Sequence, residues 1–193
     1  MESQHQVILS LGSNQGNRLK NIEVCLELIH REIGTIIKVS NLYETPSWGF
    51  ESEAFYNCAL VMHTAYSAQK ILELVLQVEK KLGRIRNENG GYQSRIIDVD
   101  LIAFDDGILD FEHLQIPHPL MQNRKFVLLP FQDLKLDWVH PVLKKTISEL
   151  ILITPDDSIC KVVQKLKCPL DAVILNQYNY IAIEGNIGAG KST

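Results

Sequence analysis

Residues 36–63, IIKVSNLYETPSWGFESEAFYNCALVMH, decide the fold, because two strand-like runs follow each other there with no helix between them. Both runs, Ile36 to Tyr43 and Phe55 to His63, are rich in the β-branched and aromatic residues that favour strands. The polar segment between them, residues 45–54, contains Pro and Gly and predicts a loop. The stretch therefore predicts two consecutive strands.

On both sides of this stretch, apolar residues recur at helical spacing. The first predicted helix begins at Asn17, ends near Gly34 and carries the stripe Leu19, Ile22, Leu26, Ile29 and Ile33. The second extends from an N-cap at Ser67 to Gly83, with the stripe Ile71, Leu74, Val75 and Val78. Two further strands, Val7 to Leu11 and Ile96 to Phe104, complete the order β-α-β-β-α-β.

This order predicts an α+β fold with a ferredoxin-like core. Its sheet is antiparallel, both helices pack on one face, and the opposite face is left for loops and ligands. Met121 to Leu129 and Thr146 to Ile153 are predicted as extra C-terminal helices. Ile108 and Leu109, after the turn at Asp105-Asp106-Gly107, are predicted as a short edge strand.

Composition narrows the function classes. The chain has 193 residues, 46% of them hydrophobic and 22% charged, which is typical of a globular domain. A net charge of −4 does not suit a general nucleic-acid binder. No apolar run approaches the roughly 18 residues of a membrane span, and the N-terminus lacks signal-peptide features. The four cysteines form no CxxC pair, so we expect reduced thiols in a cytoplasmic protein.

The strongest chemical feature is the acid pair in RIIDVDLI, residues 95–102. Side chains alternate along a strand, so Asp98 and Asp100 share one face while Ile97, Val99 and Leu101 share the other. Two neighbouring carboxylates repel unless a cation or protons intervene, and Mg²⁺ prefers such oxygen ligands. The alternative is a solvated strand face that bears two acids.

Three arginines, Arg84, Arg86 and Arg95, flank the acid pair. Guanidinium groups bind phosphate oxygens through two hydrogen bonds, so their position beside a magnesium site indicates a magnesium–polyphosphate ligand. The alternative is that they form salt bridges with the acids.

Two smaller groups of residues could also bind ligands. Phe55 and Asn57 share a strand face, and an aromatic ring beside an amide can hold a flat heterocycle, although a strand aromatic is more often part of the core. His118 lies between two prolines that restrict its backbone, shortly before the basic segment 123–126. It could bind phosphate, although a single histidine is usually structural.

These groups, in this order, resemble the 6-hydroxymethyl-7,8-dihydropterin pyrophosphokinase family of folate biosynthesis. The resemblance covers roughly residues 5–155. Seven ordered motifs carry it: LGSN (11–14), YETP (43–46), FYNCAL (55–60), ExxxGRxR (79–86), RxxDxDL (95–101), IPHP (116–119) and NRKFVLLP (123–130). The fold of that family is also ferredoxin-like.

The resemblance implies transfer of a pyrophosphoryl group from ATP to the hydroxymethyl oxygen of the reduced pterin, releasing AMP. By resemblance, Asp98 and Asp100 ligate two Mg²⁺ ions and, with Arg84 and Arg95, form the catalytic set. The implied ATP-binding residues are Glu79, Arg84, Arg86, Arg95, His118 and Arg124. The implied pterin-binding residues are Thr45, Pro46, Phe55, Asn57 and Phe126.

The sequence departs from the pattern of that family at three places. In the loop over residues 84–94, Tyr92 lies near the position at which the family commonly has a Trp. Ser47 replaces a common second proline, and His113 replaces an arginine before IPHP. None of these changes removes a metal ligand.

The C-terminal residues carry a second motif. After a boundary near residues 167–177, the segment 180–193, YIAIEGNIGAGKST, is a predicted strand followed by a P-loop pattern with Gly185, Gly190, Lys191 and Ser192. It resembles the start of deoxynucleoside kinases. We therefore expect a pyrophosphokinase domain over residues 1–167, and a linker, strand and P-loop of an incomplete second domain over 168–193.

Two other functions remain open from the sequence alone. The chain could be a fragment of a bifunctional fusion whose main activity is a deoxynucleoside kinase, or a non-catalytic ferredoxin-like module that binds a ligand without turnover. In the leading interpretation the partners are ATP and a reduced pterin only, without nucleic acid or membrane. A monomer is expected, with a dimer as the alternative.

Overall fold

A computed structural model describes residues 4–47, 52–84 and 94–170. In these ranges the strands are β1 (His5–Ser13), β2 (Thr35–Val39), β3 (Asn41–Thr45), β4 (Phe55–Thr64), β5 (Asp98–Phe104), β6 (Leu109–Phe111), β7 (Leu114–Ile116) and β8 (Lys161–Lys165). The helices are α1 (Arg18–Glu32), α2 (Ala68–Lys81), α3 (Lys125–Asp133) and α4 (Ile147–Ile153), with a 3₁₀ turn at Met121–Asn123.

The sheet has the strand order β5-β1-β4-β3-β8, and β2 also pairs with β4. All of these pairings are antiparallel. Apolar side chains of alternate residues, such as Leu9 on β1 and Leu60 on β4, pack with α1 and α2 on one face of the sheet. The predicted ferredoxin-like α+β fold, with these two helices on one face, is confirmed.

The opposite face is partly covered, whereas the sequence predicted it free for loops and ligands. Ile8, Ala59 and Val61 pack there against α3 and α4 in a second cluster that includes Phe131 and Trp138. The extra C-terminal helices are thus confirmed and form a second layer. Polar residues nearer to the ends of β1, β4 and β5 lie on the same face, where α3 and α4 do not cover the sheet.

Several predicted elements have different bounds. The single strand predicted over residues 36–43 is two strands that are interrupted at Ser40, whose hydroxyl accepts a hydrogen bond from Ala59 N at 2.9 Å. The helix predicted from Met121 becomes a 3₁₀ turn and α3, because Arg124 is extended, with φ −134° and ψ 100°. Residues 109–111 pair with β7 in a separate hairpin instead of joining the main sheet.

The edge strand β8 was not predicted. All five of its residues are exposed, so no burial pattern marks it in the sequence. Backbone pairing with β3 holds it in place. Within residues 4–47, 52–84 and 94–170, no helix has the length and apolar character needed to cross a membrane.

Candidate active site

The two acids of β5 lie on the face opposite to α1 and α2. Antiparallel pairing places Gly12 of β1 opposite Asp98 and Ser10 opposite Asp100. These small residues leave space over the sheet. A Cβ atom at position 12 would lie 2.8 Å from Asn57 Oδ1, so glycine is required for the close approach of β4 to this point.

A cavity opens over this part of the sheet. Its lining residues come from β1, β3, β4, β5 and the start of α3: Ser10, Gly12, Thr45, Pro46, Phe55, Asn57, Arg95, Asp98, Asp100, Arg124 and Phe126. The structure therefore brings nine of the residues named from the sequence into one cavity. Ser10 and Gly12 were not among the residues named, although strand alternation from the LGSN motif places them on the same face.

Asp98 is held between two arginines. Arg95 Nη1 donates to Asp98 Oδ2 at 2.5 Å, and Arg84 Nη1 donates to Asp98 Oδ1. Arg84 also donates to Glu79, which is buried in α2 and accepts a hydrogen bond from Val99 N at 2.9 Å. Glu79 and Arg84 are not among the lining residues of the cavity. They form an ion pair behind β5, and Arg84 orients Asp98.

The surroundings of Asp100, the second acid, shift its pKa. Burial, followed by the carboxylate of Asp98, raises the pKa of Asp100 to about 7. The cations of Arg124 and Arg95 act in the opposite direction and do not cancel this rise. A bound cation would stabilise the ionised form of Asp100, which burial and the neighbouring carboxylate disfavour.

The heterocycle-sized part of the cavity lies between β3, β4 and α3. Asn57 Nδ2 donates to Thr45 Oγ1 at 2.8 Å, and both residues are buried. This bond fixes the amide with its Oδ1 towards Gly12. Two rings, Phe55 on β4 and Phe126 on α3, line the same space. The Arg124 guanidinium lies 5.6 Å from the ring centroid of Phe126.

His118 is not among the lining residues of this cavity. It borders a neighbouring depression with Ile108, Gln115 and Val142 among its lining residues. Burial and the nearby Arg124 cation lower the pKa of His118 to about 4. Its Nδ1 accepts from Leu120 N at 3.2 Å, so the neutral ring carries its proton on Nε2 as a donor.

Arg86, Gly185, Gly190, Lys191 and Ser192 lie outside the described residues, as do Tyr92 and residues 171–177 of the predicted boundary region. Among the described residues, one positioning contact was missed in the sequence. Asn14, which ends the LGSN motif, accepts a hydrogen bond from Arg95 N at 2.7 Å and donates to Ser52 Oγ at 3.0 Å. It joins two loops at the rim of the cavity.

The chain is similar to known proteins of one family. The family model of 7,8-dihydro-6-hydroxymethylpterin-pyrophosphokinase (HPPK) matches residues 8–136. A 2-amino-4-hydroxy-6-hydroxymethyldihydropteridine pyrophosphokinase of Porphyromonas gingivalis is 37% identical over 138 residues, covering 70% of this chain and 93% of the relative. A protein of the same name from Aquifex aeolicus is 33% identical over 144 residues, covering 74% and 88%.

The solved structures support the fold. An HPPK-DHPS protein of Plasmodium falciparum superposes with a TM-score of 0.63 at 19% identity, covering 78% of this chain. The chain spans only 45% of the length of that protein. The chain therefore belongs to the 7,8-dihydro-6-hydroxymethylpterin-pyrophosphokinase family and is a pyrophosphokinase of folate biosynthesis.

Proposed function

We propose that the cavity over β1, β4 and β5 is where this enzyme transfers a pyrophosphoryl group from ATP to the hydroxymethyl oxygen of the reduced pterin, releasing AMP. One observation carries this assignment. Asp98 and Asp100 line the same cavity as Arg95 and as the ring-and-amide pocket of Phe126 and Asn57. Groups that can neutralise charge and groups that can hold a heterocycle thus line the same cavity.

Asp98 and Asp100 would hold the metal, for which we propose two Mg²⁺ ions. The donor set fits, because it consists of carboxylate oxygens, which hard cations prefer, and a bound cation would stabilise the ionised form of Asp100 that burial disfavours. When bound, Mg²⁺ supplies neutralisation of phosphate charge and makes the bound alcohol more acidic. With two protein carboxylates, phosphate oxygens and water would complete the coordination.

The cationic side chains would bind the triphosphate. Arg95 and Arg124 line the cavity and can each offer a planar pair of N–H donors to phosphate oxygens. Arg84 lies behind the lining of the cavity, where it forms ion pairs with Glu79 and Asp98. It would orient Asp98, and it would turn towards phosphate when a metal ion replaces it as the partner of Asp98. We also assign Arg86, on sequence alone, to this group.

Glu79 and His118 would assist ATP binding from the margins. Glu79 is a buried residue of α2 and would act by orienting Arg84. His118, neutral at physiological pH, offers an Nε2–H donor beside the neighbouring depression. A neutral donor can bind phosphate or ribose oxygen without adding charge to the site.

Phe55 and Phe126 would stack on the two faces of the pterin. Asn57 Oδ1 can accept from the ring N–H groups of the pterin, since its Nδ2 is already bound to Thr45. Thr45 and Pro46 form the wall beside this pocket. Because transfer of this kind depends mainly on alignment and charge neutralisation, these residues need only hold the hydroxymethyl oxygen in line with the β-phosphorus.

The test is AMP release by the 193-residue chain from ATP and Mg²⁺, with and without 6-hydroxymethyl-7,8-dihydropterin. We expect AMP only when the pterin is present. Asp98→Ala should abolish turnover while the far-ultraviolet circular dichroism stays unchanged, and Asp106→Asn, an exposed acid beyond the end of β5, is the matched control. Normal turnover in Asp98→Ala would contradict the assignment of the site.

We also propose that residues 1–167 form the pyrophosphokinase domain and that 168–193 begin a second, nucleoside-kinase-like unit. The P-loop spacing from Gly185 to Ser192 supports this division, and the family match ends at residue 136. The enzyme domain would act as a cytoplasmic monomer without nucleic-acid or membrane partners. Light scattering after size exclusion measures the oligomeric state.

A further inference from the structure

The start of α3 is the most demanding point in the construction of the site. Lys125 is the first residue of this helix, and its two neighbours, Arg124 and Phe126, both line the cavity. The first amides of a helix need an acceptor from outside the helix. An N-cap side chain normally supplies it, but Arg124 occupies that position and a guanidinium has only donors.

A distant acid supplies the acceptor. Asp156 Oδ2 accepts from Lys125 N at 2.7 Å, although it lies 31 positions further along the chain. Its other oxygen, Oδ1, accepts from Ser158 N at 2.9 Å, so the carboxylate is fixed at both ends. Asp156 is only 9% exposed, and its charge lies at the helix end that favours anions.

We propose that Asp156 is a positioning residue for the reaction. By anchoring the amide of Lys125 it sets the direction in which α3 begins, and therefore the placement of Arg124 towards phosphate and of Phe126 towards the pterin. Asp156 lies beyond residues 8–136, the part that the family model matches. The inference rests on the proposed roles of Arg124 and Phe126 as substrate contacts.

Removal of the carboxylate should affect binding of both substrates. In Asp156→Ala we expect the KM for ATP and the KM for the pterin each to rise about five- to tenfold, because small displacements of binding groups are costly and a lost helix cap loosens the first turn. The kcat should change less than either KM. Asp156→Asn keeps an acceptor oxygen but loses the charge, so both KM values should rise by only about twofold.

Two variants control for general destabilisation. Asp157→Ala removes the neighbouring exposed acid and should leave both KM values unchanged. Glu149→Ala removes half of the capping box of α4, at a helix that contributes no residue to the cavity. It should lower the melting temperature without raising either KM. Amide hydrogen exchange of Lys125, faster in the Asp156 variants than in either control, reports the weakened or lost bond directly.

The outcomes separate the possibilities. Unchanged KM values in Asp156→Ala, with faster exchange at Lys125, would overturn the inference, and so would an equal rise of KM in Glu149→Ala. Should the alanine variant not fold, Asp156→Asn carries the test: faster exchange and a KM rise of about twofold support it, and wild-type values for both contradict it. If Phe126→Ala and Arg124→Ala leave both KM values unchanged, the proposed function fails instead.

Discussion

At the scale of single residues, Asp100 has opposite effects on activity and on stability. Its half-buried carboxylate lies close to that of Asp98, and the two repel each other. Function requires this charge if the pair is to hold Mg²⁺, whereas the fold alone would be more stable without it. The two effects can be separated by one isosteric substitution.

We predict that Asp100→Asn lowers kcat by about a thousandfold or more while raising the thermal stability of the metal-free protein. The pKa of Asp100 is raised in the folded protein, so between about pH 4 and pH 7 the folded state holds a proton that the unfolded chain has released. Wild-type stability therefore falls as pH rises through this range, and then levels off. Asn does not titrate.

Thermal melting at a series of pH values measures this. The melting temperature of Asp100→Asn should exceed that of the wild type by an amount that grows from pH 4 to pH 7 and is then constant. Asp106→Asn, with an exposed carboxylate, should show no such gap. A gap that shrinks as pH rises would mean that the folded protein lowers the pKa of Asp100 instead.

At the scale of elements, Asp133 ties the last turn of α3 to β3. Its Oδ2 accepts from the Tyr43 hydroxyl and from Asn41 Nδ2, each at 2.9 Å, and from Asn41 N at 3.1 Å. Burial and this carboxylate raise the pKa of the Tyr43 hydroxyl well above its usual value, so it stays a donor. The bond network fixes the spacing between α3 and β3, which carry Phe126 and Thr45.

We predict that Asp133→Ala lowers the free energy of unfolding by about 2–3 kcal/mol, because several donors lose their acceptor at once. Tyr43→Phe removes one of these hydrogen bonds and should cost about 1 kcal/mol. Urea denaturation measures both values, with Asp137→Ala, an exposed acid just beyond α3, as the control. An equal loss in Asp137→Ala would show that this tie does not hold α3.

The elements also show how much the sequence could predict. The helices α1 and α2 and the central strands follow from apolar periodicity, since burial on one face determines them locally. β8 could not be found, because its position depends on backbone bonds to β3 while its side chains remain exposed. The division of the predicted helix at Arg124 depends on Asp156, a partner that no local pattern reveals.

The same distinction applies to the site. Alternation along β5 places Asp98 and Asp100 together, and motif order names most of the other lining residues. The close approach of Asn57 to Gly12 and the burial of Glu79 behind β5 are consequences of how strands and helices stack. Contacts between segments distant in sequence therefore decide which of the named residues face the cavity.

At the scale of the whole molecule, the two faces of the sheet have separate tasks. One is covered by α1 and α2 and forms the larger core, whereas the other is covered by α3 and α4 only in part. The uncovered part is the cavity. Its described lining residues lie in or next to five elements, β1, β3, β4, β5 and α3, so the site depends on the packing of the whole domain.

This arrangement predicts that the C-terminal P-loop motif is dispensable for the pyrophosphokinase reaction. Among the residues that the structure describes, every lining residue of the cavity lies at or before Phe126, and the contact that reaches the site from furthest along those ranges, that of Asp156, precedes the motif. Lys191→Ala in the full chain should therefore leave kcat and both KM values for pterin-dependent AMP formation within about twofold of wild type, since a P-loop lysine acts on phosphates bound in its own loop.

Arg95→Ala, measured in parallel, should lose most activity because Arg95 contacts Asp98 inside the cavity. If Lys191→Ala lost pterin-dependent AMP formation to the same degree, the motif would have to bind the same ATP, and the division of the chain at residues 167 and 168 would be wrong.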